Sequence, residues 1–109
     1  MEQRQQRRIQ SSLPVRISGV DALGEAFEES TEALDVSRRG LSFLTSREIP
    51  VLASLTVVIP GRGTPQPGEG PRDFLASACV VRMTKENEMN RVAIRFIGAT
   101  LPFYTPETS

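Results

Sequence analysis

In three short runs of this sequence a large apolar side chain recurs at every second position: Leu13-Pro14-Val15-Arg16-Ile17-Ser18, Leu55-Thr56-Val57-Val58-Ile59 and Arg91-Val92-Ala93-Ile94-Arg95-Phe96. A period of two puts alternate residues on opposite faces of an extended chain, so each run reads as a half-buried strand. No stretch shows a strong helical period and no segment repeats. Alternation of this kind commits the chain to sheets with one wet face. At 109 residues the chain has the length of one domain with one core. Trp is absent and Tyr occurs once, so Phe, Leu, Val and Ile must fill that core.

The remaining segments supply further strands and turns. Asp21-Ala22-Leu23-Gly24 reads as a hairpin turn. From Glu25 to Val36, Phe27 and Leu34 fall on opposite parity, which predicts one long strand with a bulge or bend, or two short strands. Residues 35–40 form a turn before Leu41 and Phe43. Phe74 to Met83 is a strand with apolar residues on both faces, and Glu86-Asn87-Glu88 is a polar turn. Between them, eight of the twelve residues 60–71 are Gly or Pro, the composition of an exposed loop. Residues 1–10 read as an arginine-rich arm, 11–100 as the folded domain and 101–109 as a tail. Six or so strands with polar turns argue an all-β antiparallel barrel or small sandwich, and closure, which removes vulnerable edges, favours the barrel.

Composition excludes several functions. There is no His and one Cys, so His-based zinc sites and imidazole base catalysis are ruled out. Cys79 reads as a small core residue in an apolar strand, and a lone cysteine suits a cytoplasmic setting. Glu28 and Glu29 are neighbours on a strand, hence on opposite faces, and read as a solvated acidic edge. The Gly-rich loop lacks the Gly-Lys-Ser/Thr ending of a phosphate-binding loop. No apolar run approaches the length needed to span a membrane, and the polar start does not read as a secretory signal. The net charge is zero, which disfavours general affinity for nucleic acid or acidic membranes.

Two patterns carry chemistry. Arg4-Gln5-Gln6-Arg7-Arg8 contains Arg-x-x-x-Arg at positions 4 and 8. Guanidinium groups are planar, permanently charged and forked, and suit phosphate, the guanine edge and flat π-faces. The plain alternative is a solubilising basic tail. Asp35-Val36-Ser37-Arg38-Arg39-Gly40 is Asp-x-Ser-x-x-Gly. Asp and Ser there can face one ligand or fix a local turn, and Gly40 suits a positive φ or a close backbone approach by a ligand.

In combination they are more specific. Arg-x-x-x-Arg, then Ile9, a Leu13-Pro14-Val15-Arg16 strand, and about 27 residues after Arg8 an Asp-x-Ser-x-x-Gly turn: this order resembles the PilZ family. Arg91 to Phe96 is similar to that family's closing strand, so the resemblance covers nearly the whole chain. Gln3 stands where many members carry a further basic residue, which leaves nucleotide stoichiometry open, and Ala93 replaces a common glycine.

The resemblance implies a six-stranded antiparallel barrel that binds cyclic di-GMP and needs no cofactor. It implies that Arg4 and Arg8 clamp phosphates and guanines, that Asp35 and Ser37 hydrogen-bond a guanine and that Gly40 admits the backbone, with Arg7 and Arg39 as additional contacts. Beside it stands the expectation of an arm that orders on binding and signals to a protein partner, and composition argues against a nucleic-acid partner, membrane insertion and catalysis. The alternative is a PilZ-like interaction module that has lost the nucleotide.

Overall fold

The structure, a computed structural model, describes residues 9–63, 67, 68, 70 and 72–102; for residues 9–12 only the backbone is described. Six strands follow one another: β1 (Ile9–Val20), β2 (Ala26–Val36), β3 (Gly40–Thr45), β4 (Ser54–Ile59), β5 (Phe74–Glu86) and β6 (Met89–Ile97). All pairs are antiparallel. They run β1-β2-β3-β6-β5-β4, and β4 pairs back onto β1 from Arg16–Val58 to Gly19–Leu55, so the sheet closes into a barrel. Closure satisfies the backbone groups that an open sheet would leave on its edges. The expected all-β, six-stranded antiparallel barrel is the fold observed, and no helix occurs among the described residues.

The alternating runs fill the interior. Leu13, Val15 and Ile17 from β1, Leu55, Val57 and Ile59 from β4, and Val92, Ile94 and Phe96 from β6 are all buried. Phe74 meets Phe96 edge to face, with centroids 5.0 Å apart and planes at 64°. That geometry sets the positive edge of one ring against the negative face of the other. Two residues outside the strands complete the core. Ile49 follows β3 and Leu101 follows β6, and both are fully buried. The strand directions place Ile49 at the end of the barrel near the β1–β2 turn, and Leu101 at the end near the β2–β3 turn. β1 opens at Ile9, and Leu101 beyond β6 is buried.

The β1–β2 end is closed by a polar cluster. Asp21 Oδ1 accepts from the backbone N–H groups of Leu23 and Glu25, both at 3.0 Å, which fixes the turn and lets Gly24 take a φ of +82°. Its Oδ2 accepts from Arg47 Nη1 at 3.2 Å. Arg47 also pairs with Glu29 at 3.4 Å and lies 4.7 Å over the Phe27 ring. Thr45 donates to Glu29 and Asn90 donates to the Arg47 carbonyl, so β2, β3 and β6 share one network.

Two sequence expectations are corrected. Glu29 is not part of a solvated edge, because its parity with Phe27 turns it to the inner side, where Thr45 and Arg47 satisfy it; Glu28 alone stays exposed. Cys79 is half-buried and not a core residue. Phe74, Ala76, Ala78 and Val80 point inward, which leaves position 79 on the outer face.

Candidate functional site

The outer wall of the barrel at β2, β3, β6 and β5 carries an open groove of about 740 Å³. That size lies within the range of small-ligand sites. Two strand irregularities create its chemistry. In β2, Phe27 and Ala33 point inward, and simple alternation would send Asp35 inward too. The ladder between β1 and β2 shifts register between Gln10 and Leu13, and beyond it Val36 is the buried residue. Asp35 is thereby turned outward. In β5, Val80 is buried and Arg82 would follow it inward, but the register with β6 shifts between Val80 and Arg82 and both Val81 and Arg82 face solvent. Bulges re-aim side chains in this way.

The two re-aimed residues lie on one row. Asp35 pairs with Ser42, Ser42 with Ala93, and Ala93 with Arg82. The floor between the carboxylate and the guanidinium consists of Ser and Ala, which leaves room above them. Four arginines line the groove, Arg39, Arg82, Arg91 and Arg95, against the single carboxylate of Asp35. In a chain of zero net charge this concentrates three excess positive charges in one place. Such a concentration attracts anions.

The loop that bounds the groove is rigidly built. Ser37 N–H donates to the Gly40 carbonyl at 2.9 Å, and Ser37 Oγ accepts from Arg39 N–H at 3.2 Å. Ser37 Oγ also lies 3.3 Å from the Gly40 carbonyl as a donor. The Arg38 and Arg39 carbonyls accept from Leu101 N–H and Phe96 N–H, at 2.8 and 2.7 Å. Gly40 is needed here for packing within the protein. A Cβ at this position would sit 2.0 Å from the Ile94 carbonyl oxygen, so β3 and β6 could not approach as they do. No positive φ is involved.

Arg91 is the best-held charge in the groove. Its Nε donates to Glu86 Oε1 at 2.7 Å, and its Nη1 donates to Asp35 Oδ2 at 3.1 Å and to Ser42 Oγ at 3.2 Å. The hydrogen bond that Arg91 donates to Glu86 is the main cause that raises Arg91 above the ordinary arginine value; partial burial opposes it, and the charges of Glu86 and Asp35 add to it. The same bond holds Glu86 below the usual carboxylate range. The side chains of Arg39, Arg82 and Arg95 make no hydrogen bond or ion pair with the described residues.

Of the residues expected from sequence, Asp35, Ser37, Arg39 and Gly40 line this one groove. Arg4, Arg7 and Arg8 lie outside the described residues. The backbone that follows them is described: Ile9 pairs with Val36 and Gln10 with Asp35, at the groove's border. Sequence reasoning missed Ser42, Arg82, Glu86 and Arg91 as site residues. The signal for Arg82 was the apolar character on both faces of its strand, which marks the phase break that a bulge produces.

The described residues thus form a small closed barrel whose outer wall bears an arginine-lined groove beside one carboxylate. The sequence profile of the PilZ domain matches residues 2–102, and the chain belongs to the PilZ domain family. That family comprises cyclic di-GMP-binding adaptor domains and is not a family of enzymes. No curated protein sequence and no solved structure matches the chain significantly. No helix among the described residues is long and apolar enough to cross a membrane, and no group of metal-binding side chains occurs among them.

Proposed function

We propose that this protein is a receptor for cyclic di-GMP and passes its occupancy to a protein partner. The observation that carries the reading is the groove itself, with an acceptor-only carboxylate at one end of a Ser-Ala floor and arginines around it. Cyclic di-GMP carries phosphate charges and broad guanine faces. Guanidinium groups match both, by charge-assisted hydrogen bonds and by stacking. The guanine N1–H and N2–H donors need an acceptor, which arginine cannot supply and Asp35 can. Ser37, held in its turn, offers a hydroxyl to the same edge.

Arg4 and Arg8, with Arg7, reach the ligand from the segment that leads into β1, whose first pairs flank Asp35. Nucleotide binding orders that leader against the barrel, and the altered surface is what the partner reads. Ordering lowers the net affinity but supplies a signal. The cytoplasm is the compartment in which this receptor works.

Isothermal titration with cyclic di-GMP, GTP and a single-stranded oligonucleotide tests the reading. Cyclic di-GMP alone should bind, and Asp35→Ala and Arg8→Ala should each weaken it by about tenfold or more, the scale of a hydrogen bond to a charged group. Absence of cyclic di-GMP binding would reject the receptor and favour an interaction module. Proteolysis of the leader should slow when nucleotide is present; an unchanged rate would reject the ordering step.

A further inference from the structure

Arg91 does not stand in the groove as a loose cation. Its fork is committed on two sides, with Nε and Nη2 on Glu86 at 2.7 and 3.5 Å, and Nη1 shared between Asp35 Oδ2 and Ser42 Oγ at 3.1 and 3.2 Å. Ser42 Oγ is itself 3.3 Å from the same Oδ2. Glu86 ends β5 just before the two-residue turn at Asn87, where φ is +58°, so its carboxylate is presented by a tight hairpin. A planar guanidinium held this way cannot rotate without breaking contacts to three residues, and it anchors the Asp35 carboxylate at Oδ2. Lysine, a point charge without a fork, could not engage both carboxylates with separate, directed N–H donors in this way.

We infer that Arg91, pinned by Glu86, is a positioning residue that sets the Asp35 carboxylate for the guanine edge of the ligand. The inference rests on the cyclic di-GMP reading above and assigns two residues outside both sequence motifs to the same site. Arg91 acts through Asp35 and does not itself bind phosphate. Loss of Arg91 therefore matters only while Asp35 is present to be positioned.

A double-mutant cycle read by titration with cyclic di-GMP separates these roles. Arg91→Ala should weaken binding by about tenfold, Arg91→Lys should fail to restore it, and Glu86→Gln should weaken it by about threefold. In an Asp35→Asn background, Arg91→Ala should add less than about a twofold loss. Independent, multiplying losses from Arg91→Ala and Asp35→Asn would overturn the inference, since Arg91 would then touch the ligand itself. Unchanged affinity in Arg91→Ala and Glu86→Gln, with or without a lower melting midpoint, would also overturn it and leave the receptor reading intact. Failure of the unmodified protein to bind would reject both.

Discussion

Gly40→Ala separates two explanations of the motif glycine, one in which the ligand needs its bare backbone and one in which the barrel does. In an unconstrained strand, alanine stabilises relative to glycine by roughly 0.5–1 kcal/mol because it loses less backbone freedom. The structure reverses that sign. The added Cβ would lie 2.0 Å from the Ile94 carbonyl oxygen and 3.1 Å from Arg95 Cα, both backbone atoms that no rotamer change can move. Relief requires β3 and β6 to part, at a cost of about 1–3 kcal/mol on the scale of overpacked cores. The parting also strains the bonds from Ser37 N–H to the Gly40 carbonyl and from Phe96 N–H to the Arg39 carbonyl, each with a net worth of about 1 kcal/mol. The expected loss is about 2–4 kcal/mol, read as a lower urea midpoint at unchanged slope in the nucleotide-free protein. An alanine variant as stable as the parent, yet unable to bind cyclic di-GMP, would refute this reasoning and return Gly40 to the ligand.

Leu101→Ala should lower stability by about 2–5 kcal/mol, because a fully buried side chain that stops one end of the barrel is removed; urea denaturation checks it. The backbone N–H of Glu25, then that of Leu23, and Arg47 hold Asp21 below its ordinary value against the opposing effect of burial. A carboxylate depressed in the folded state stabilises fully above its unfolded value and loses that contribution as pH falls through the folded one. The urea midpoint should therefore drop as pH falls below about 4, and Asp21→Asn should flatten part of that dependence. Arg82→Ala should weaken cyclic di-GMP binding by about tenfold and make it less sensitive to salt, as measured by titration at two ionic strengths.

Most of the barrel was legible in the sequence because its strands alternate. The runs ending in Ile17, Ile59 and Phe96 face inward as their period of two requires. The bulges were legible only as broken patterns. Phe27 and Leu34 conflict in parity, and the structure resolves the conflict within one strand, between Ala33 and Val36, by an extra residue in β1. A phase break shows in a sequence; which residue it re-aims depends on the partner strand. For the same reason Asp35 could be named from its motif, whereas Ser42, Arg82 and Arg91 reach it only through register across three strands. Cys79 was misplaced because apolar neighbours on both sides hid its outward parity. Glu86 is joined to Asp35 through the Arg91 side chain, which no spacing rule encodes.

The central claim is that one outer patch of the barrel receives the nucleotide. Amide chemical-shift mapping of the labelled protein on addition of cyclic di-GMP tests it most directly. Shifts should concentrate at residues 35–42 and at Arg82, Arg91 and Arg95, and leave the Asp21–Arg47 end of the barrel unmoved. Shifts centred on the Asp21–Arg47 cluster, or spread evenly over the surface, would contradict the account.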